Sequence, residues 1–370
     1  MNSFSNRAVT TLTVVFVACC SVLAFSDEPR DISQPTFHAE QSEKLELAGI
    51  KTLQVGSYNL LNLFEKKGKI HEGKSPLFHL IPEGRRPLEE ALKTLEDLKA
   101  QAQIILNNKY DVLAVSEVEN LEALRALSIE FLGGKYDSYL IEGNDPRGID
   151  VGFLVKSSLP FHTEQRTHKF ETWEDPTQGG KKSRVFSRDL PALLFRTKKN
   201  ESPVMVYFGT HFKSKRDRAH DPESRLLRKA QVERASLIIK AYEKEFGTET
   251  PIFLAGDFNG EIKEEKEFSA LRQVAELEDT FDVVNPPLSK KERITHSYFP
   301  KDGNPKWAQL DAVMVNLMGT QFVTEAKVPH YHDENGNEIP IPKSFDELKK
   351  TQPSDHYPVH VELDMSQLLK

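Results

Sequence analysis

Ile252-Phe253-Leu254-Ala255-Gly256-Asp257-Phe258-Asn259 is the stretch on which the fold turns. From Ile252 to Gly256 it is continuously apolar or small and shows no alternation. A strand solvated on one face alternates apolar with polar, whereas one buried on both faces does not. Helices or a second sheet must therefore cover each side of this strand. Polar residues return where the run ends, as Asp257 and Asn259.

Working outward, the same kind of short apolar run recurs at 53–61, 112–118, 151–156, 192–195, 204–212, 312–315 and 359–363. These runs are rich in Val, Ile, Phe and Tyr, as strands are. Helical spacing separates them. Pro87 opens one stripe, with Leu88, Ala91, Leu92, Leu95, Leu98, Ala102 and Ile105 at three- and four-residue steps. A second stripe covers 224–246 through Leu226, Leu227, Ala230, Leu237, Ile238 and Tyr242, and Asn120 is placed to cap a third, shorter helix. No internal repeat or low-complexity linker interrupts 51–365, which predicts a single α/β domain.

The 370 residues are 38% apolar and 28% charged, a composition that folds and dissolves. The net charge of −7 and pI near 6.0 do not mark a nucleic-acid binder by bulk charge, but local patches decide that question. Basic clusters stand at 66–69, Arg85-Arg86, 181–184 and 213–218. Any one such run is ordinarily a solvated face; four, with two beside the motifs below, point to an anionic substrate.

Arg7 precedes an apolar segment, 12–24, and Ala24-Phe25-Ser26 offers the small residues that a signal peptidase reads. The segment is short for a membrane span. We expect residues 1–26 to be a signal peptide, 27–50 a loose arm, and the mature chain to be secreted or periplasmic. Phe16 stands where a lipid-attachment signal carries a smaller aliphatic, so anchoring through Cys19 or Cys20 is the weaker reading. Both cysteines lie in this segment, so the mature chain has no thiolate, and any metal must be held by oxygen or imidazole.

Polar side chains cluster at the ends of the apolar runs: Asn59 and Asn62, Glu117, Asp150, His211, Asp257 and Asn259, Asp311, then Asp355 and His356. A carboxylate embedded in an apolar strand is costly unless paired or coordinated. Strand ends in α/β folds converge on one rim, where such residues can meet. Oxygen-rich sites of this kind suit Mg²⁺, with Mn²⁺ or Ca²⁺ as alternatives. Taken singly, each residue reads more simply as a cap or turn former. Their joint occurrence is what that simpler reading leaves unexplained.

Asn59-x-x-Asn62-Leu63-Phe64, Glu117-Val118-Glu119-Asn120, Asp150-Val151-Gly152, His211-Phe212-Lys213-Ser214-Lys215, Gly256-Asp257-Phe258-Asn259, Leu310-Asp311 and Ser354-Asp355-His356 together resemble the ordered motifs of the endonuclease/exonuclease/phosphatase superfamily. The resemblance spans about residues 52–364. His-Phe-Lys-Ser-Lys and His296-Ser297-Tyr298 look closest to its bacterial extracellular nuclease branch, although Thr210 stands where that branch often has Asn. The resemblance implies a four-layer α/β sandwich of two packed mixed sheets with helices on both outer faces. It also implies metal-assisted hydrolysis of a phosphate ester by in-line attack of water.

Under that resemblance Glu117 is the first metal ligand, with Asn59 and Asp355 orienting the metal or its waters. Asp257 orients or deprotonates the attacking water, and Asn259 donates to the phosphoryl group. His211 and His356 flank the phosphate as imidazolium donors. Asp311 is the expected partner of His356 and Asp150 of His211. Asn62, Arg188 and Lys213 are candidate substrate contacts. Whether a His or the Asp of Gly-Asp-x-Asn is the general base stays open at this level. His330 and His332 ahead of Asp333 lack the spacing of a calcium loop, and Asn335-Gly336 reads as a hairpin turn. His71 and His79 have no assigned role.

A nuclease acting on DNA, or on RNA, is the favoured function. A phosphatase of small phosphate esters or inositol phosphates is the alternative. A sphingomyelinase-type phospholipase would want an exposed apolar hairpin, and none is evident in the sequence. A catalytically dead binding module need not keep both imidazoles and their partners. No protein partner is implied.

Overall fold

The computed structural model describes residues 49–64, 93–301 and 303–366. The expected signal segment, most of the arm, the Pro87 start of the first helix, two basic clusters (66–69 and Arg85-Arg86), His71 and His79 all lie outside the described residues.

In chain order the strands are β1 (Thr52–Leu63), β2 (Val112–Val118), β3 (Tyr136–Leu140), β4 (Asp150–Lys156), β5 (His162–Arg166), β6 (Thr172–Asp175), β7 (Lys181–Arg184), β8 (Ala192–Arg196), β9 (Met205–His211), β10 (Ile252–Asp257), β11 (Leu277–Asp279), β12 (His296–Tyr298), β13 (Lys306–Ala308), β14 (Asp311–Asn316), β15 (Val323–Lys327) and β16 (Val359–Asp364). They form two mixed six-stranded sheets, ordered β15-β16-β1-β2-β4-β3 and β11-β14-β10-β9-β8-β5, and two two-stranded hairpins, β6–β7 and β12–β13. The eight apolar runs read from the sequence are the inner strands of these sheets. The four edge strands, β15, β3, β11 and β5, were not anticipated. An edge strand has a solvated side and needs less apolar surface, as His-Thr-Glu-Gln-Arg of β5 illustrates.

The sequence of β10 explains the layering. Phe253 and Ala255 join the core that lies between the sheets, while Ile252 and Leu254 join the core beneath the long helix α3 (Arg225–Phe246). Strand β14 divides the same way, with Val313 and Val315 inward and Ala312 and Met314 toward α3. On the other side, Ala102 and Ile105 of α1 (Leu95–Asn107) and Leu124 of α2 (Leu121–Ala126) pack on the first sheet. Tyr207 Oη donates to Gly56 O at 2.9 Å and ties one sheet to the other. The expected four layers are present.

Two helix starts differ from expectation. Thr94 and Asp97 form a reciprocal capping box, so the helix that the apolar stripe extends back to Pro87 has a capped N-terminus at Leu95, and Leu95 itself is exposed. At α3, Ser224 makes no side-chain cap. The Asp221 carboxylate accepts from the backbone N–H groups of Leu226 and Leu227 at 2.8 and 3.2 Å instead. Asn120 does cap α2, accepting from Ala123 N at 2.8 Å. Gly336 in the 333–337 turn has φ +81°, the hairpin geometry expected of Asn335-Gly336.

Candidate active site

Strand direction assembles the site. The parallel neighbours β9 and β10 end side by side, with His211 the register partner of Asp257. Antiparallel β14 begins at the same end, where Asp311 faces Asp257. In the first sheet the parallel pair β1 and β2 brings Asn59 and Glu117 to the corresponding end. Ser354 Oγ donates to Asn59 O at 2.9 Å and accepts from His356 N at 3.1 Å, which pins the 354–356 turn to β1.

Close approach explains the glycine of Gly-Asp-Phe-Asn. Gly256 has φ +150°, and a Cβ there would lie 1.9 Å from Thr210 O on β9. Glu117 (φ +60°) and Asn259 (φ +53°) are left-handed without being glycine. Each such residue costs on the order of 1 kcal/mol, and such conformations concentrate at functional sites. Asn59 and Asp257, from opposite sheets, bond directly: Asn59 Nδ2 donates to Asp257 Oδ2 at 3.0 Å. Asn259 Nδ2 donates to the same oxygen at 3.0 Å and Asn259 N donates to Oδ1 at 2.7 Å. His211 Nε2 and His356 Nε2 lie 3.5 and 3.8 Å from Asp257 Oδ2. Burial, with nearby Asp311 and Glu117, raises the Asp257 carboxyl to about 7, against the counter-pull of His356.

The two imidazoles have unlike surroundings. His356 Nδ1 is 2.6 Å from Asp311 Oδ2, and Thr295 Oγ1 accepts from the backbone N–H groups of Leu310 and Asp311, both at 2.9 Å, fixing that carboxylate. Burial opposes protonation of His356, but Asp311 and Asp257 outweigh it and hold the ring well above its ordinary pKa. His211 has no such partner: its Nδ1 is buried with no hydrogen bond. Burial, then the charges of Arg188 and Arg147, push it well below its ordinary pKa.

The pairing of Asp150 with His211 is therefore corrected. Asp150 Oδ1 accepts instead from Gly143 N at 2.7 Å, and burial raises its carboxyl to about 7. The imidazolium expected at His211 is corrected too: Asp257 and Glu117 carboxylate oxygens lie 3.5 and 3.9 Å from its Nε2, but burial first, and then the charges of Arg188 and Arg147, outweigh them. Arg188 is buried, 3.0 Å from Asp145 Oδ2, and donates to Phe212 O. Arg147 grips the same Asp145 through Nε and Nη2, both at 3.0 Å. Lys213 is half-buried, and burial with Arg188 and Arg147 lowers its ammonium to about 8. Asn62 enters through its backbone, donating N–H to Glu117 Oε2 at 3.1 Å.

The carboxylate oxygens left unpaired on this rim fit a divalent cation. Asp257, Asp311 and His356 offer ligand atoms within 4.8 Å of one another, and so do His296, Asp355 and His356. Asp311 Oδ1 and Asp355 Oδ1 are buried without a hydrogen-bond partner. Glu117, expected as the first ligand, falls in neither group; its Oε1 lies 3.9 Å from His211 Nε2.

Some neighbours carried no assigned role in the sequence. The His296 ring lies 4.5 Å from that of His356, and its Nε2 is 3.7 Å from Asp355 Oδ2. Thr295, Asp145 and Arg147 act through tertiary contacts; Asn144-Asp145-Pro146-Arg147 reads locally as a turn and nothing more. Lys93 donates to Pro353 O, and burial lowers its ammonium to about 8.

No family model and no curated protein matches the chain. Solved structures do. An endonuclease/exonuclease/phosphatase family protein of Bacteroides thetaiotaomicron is 17% identical, with 84% of this chain and 94% of that one covered and a TM-score of 0.52. A mannosyl-6-phosphatase of the same organism is 16% identical, covering 84% and 99%, at 0.51. TDP2 of Caenorhabditis elegans is 19% identical, covering 85% and 74%, at 0.51. The chain shares the endonuclease/exonuclease/phosphatase fold with these proteins.

Proposed function

We propose that the chain is a secreted or periplasmic, metal-dependent phosphodiesterase that hydrolyses nucleic acid, DNA before RNA, with its catalytic domain in 51–365. One observation carries this reading. The Asp257 carboxylate lies within hydrogen-bonding or ion-pairing reach of an amide from the opposite sheet and of two imidazoles in unlike environments. That combination serves in-line attack on phosphorus, which needs a base, an acid and fixed donors.

Asp257, with its carboxyl raised to about 7, accepts the proton of the attacking water. Asn59 and Asn259 hold that carboxylate in place through their amides; Asn259 Nδ2, which donates to Asp257 and to Phe212 O at 3.1 Å, is not the phosphoryl donor expected of it. His356, kept protonated by Asp311, donates to the phosphoryl oxygen on which charge builds. His211, kept neutral by burial and by the charges of Arg188 and Arg147, orients a phosphate oxygen or the water. Arg188 and Lys213 place positive charge on the anion's other flank. Glu117, with Asn59 and Asp355, would hold Mg²⁺, and the same oxygen donors accept Mn²⁺ or Ca²⁺. The bound ion supplies Lewis-acid neutralisation of the phosphate.

A phosphatase of small phosphate esters or inositol phosphates is the second reading. It is favoured by the likeness to a mannosyl-6-phosphatase and by the net charge of −7.

Nicking of supercoiled plasmid by residues 27–370 with Mg²⁺ or Mn²⁺ tests the choice. Nicking that is abolished by EDTA, and lost in Glu117→Ala and His211→Ala, is expected. Hydrolysis of phosphate monoesters without nicking would overturn the nuclease reading in favour of the second.

A further inference from the structure

Two of the basic runs, 181–184 and 213–218, have no role in the centre apart from Lys213. They are separate in sequence and joined in space. The β6–β7 hairpin carries Lys181, Lys182 and Arg184, all exposed. The loop after His211 carries Lys213 and the exposed Arg216. Arg218 of that loop donates to Asp175 Oδ2 of the hairpin at 2.7 Å and locks the two together. The hairpin base is also tied to the loop bearing Arg147: Asn144 Nδ2 donates to Lys169 O at 2.8 Å, and Lys169 Nζ donates to Glu142 O at 2.8 Å.

The charges are not neutralised in place. Among the described residues, Lys181, Lys182, Lys213 and Arg216 make no ion pair with a carboxylate, although Glu174 faces Lys182 across the hairpin. By contrast Lys215 is taken by Glu265 at 2.6 Å and Arg218 by Asp175. Phe170 stands beside this surface, 61% exposed, with the Lys169 ammonium and the Arg184 guanidinium over its ring at 5.4 and 5.1 Å. An exposed ring flanked by cations offers a base a stacking surface and its phosphates a counter-charge.

We infer that the β6–β7 hairpin and the loop after His211 form a basic track that leads a single-stranded polynucleotide from Lys213 outward over Phe170. The inference rests on the phosphodiesterase reading for its direction toward the centre, and it deepens that reading: the productive ligand is a chain of several phosphates, not one ester.

The test is fluorescence anisotropy of a labelled single strand of about 20 thymidine nucleotides with the full chain in EDTA, at salt from about 50 to 200 mM. Single-strand binding loses about 0.7 of log–log salt slope per phosphate contact removed. The variant Lys181→Glu/Lys182→Glu/Arg216→Glu should bind at least about tenfold more weakly, with a slope shallower by about 2. Phe170→Ala should lose about fivefold or more without a change in slope. Turnover of bis(4-nitrophenyl) phosphate with Mg²⁺ should stay within about twofold of wild type in the triple variant, since all three side chains are exposed and none bonds to Asp257, His211 or His356. Unchanged oligonucleotide binding in the triple variant would overturn the track. So would tighter binding to phosphatidylserine vesicles than to the oligonucleotide, or an equal loss of small-diester turnover. Absence of any diester turnover by the wild type would sink the phosphodiesterase reading alone, because the binding arm still decides the track.

Discussion

The flank of the site around His356 and the flank around His211 are opposite in sign. His356 is enclosed by Asp311, Asp257 and Asp355, which together hold it protonated against the cost of burial. His211 is equally buried, and although Asp257 and Glu117 lie 3.5 and 3.9 Å from its Nε2, burial first and then the charges of Arg188, Arg147, His356 and Lys213 push it well below its ordinary pKa. The same side chain on the same rim is thus given two protonation states by its neighbours. Such divergence of paired titratable groups is how one fold supplies acid and base roles together. The carboxylate flank suits proton donation, and the guanidinium flank suits an arriving anion.

The contrast breaks most severely at Asp311. Asp311→Asn removes the charge that keeps His356 protonated. We expect kcat to fall by about 10²–10⁴-fold. The wild-type profile of kcat/KM should fall only well above the ordinary imidazole range, where His356 loses its proton. In the variant the falling limb should move down toward about 6.5. A variant profile with that limb unmoved would separate Asp311 from His356 chemistry.

A smaller effect sits at Asp257, as a stability change in metal-free protein. Its carboxyl is raised from 3.8 to about 7 on folding, so the folded state holds a proton that the unfolded chain releases. The resulting destabilisation is absent below about pH 4, grows as pH rises to about 7 and is complete above it. Asp257→Asn should therefore gain about 1–3 kcal/mol at pH 8 and nothing at pH 4, although it removes the base. An equal change in urea midpoint at both pH values would contradict this. The smallest effect belongs to the cationic flank: Lys213→Ala should raise KM for a diester about fivefold with little change in kcat. A fall in kcat at unchanged KM would place the ammonium in the transition state instead.

The acidic flank was largely legible in the sequence and the basic flank only in part: His211, Arg188 and Lys213 were named, Arg147 and Asp145 were not. Asp311 and His356 both sit at ends of apolar runs, where a charge stands out. The inner strands were legible for the same reason, since a strand such as β10 has two cores to fill. Edge strands such as β15, Val-Thr-Glu-Ala-Lys, carry too little apolar signal to show. Arg147, and the Asp145 carboxylate that holds both it and Arg188, come together through tertiary contacts that no local pattern announces. The expected Asp150–His211 pair failed on the same flank. Proximity of Asp150 to a strand end was visible, but the claim of Gly143 N–H on its carboxylate was not.

The most direct test of the opposed flanks is a ¹⁵N NMR titration of the histidine rings in metal-free protein, assigned with His211→Ala and His356→Ala. At pH 7 His356 is expected as imidazolium, with both nitrogens protonated, and His211 as a neutral ring. Two rings in the same protonation state at pH 7 would contradict it.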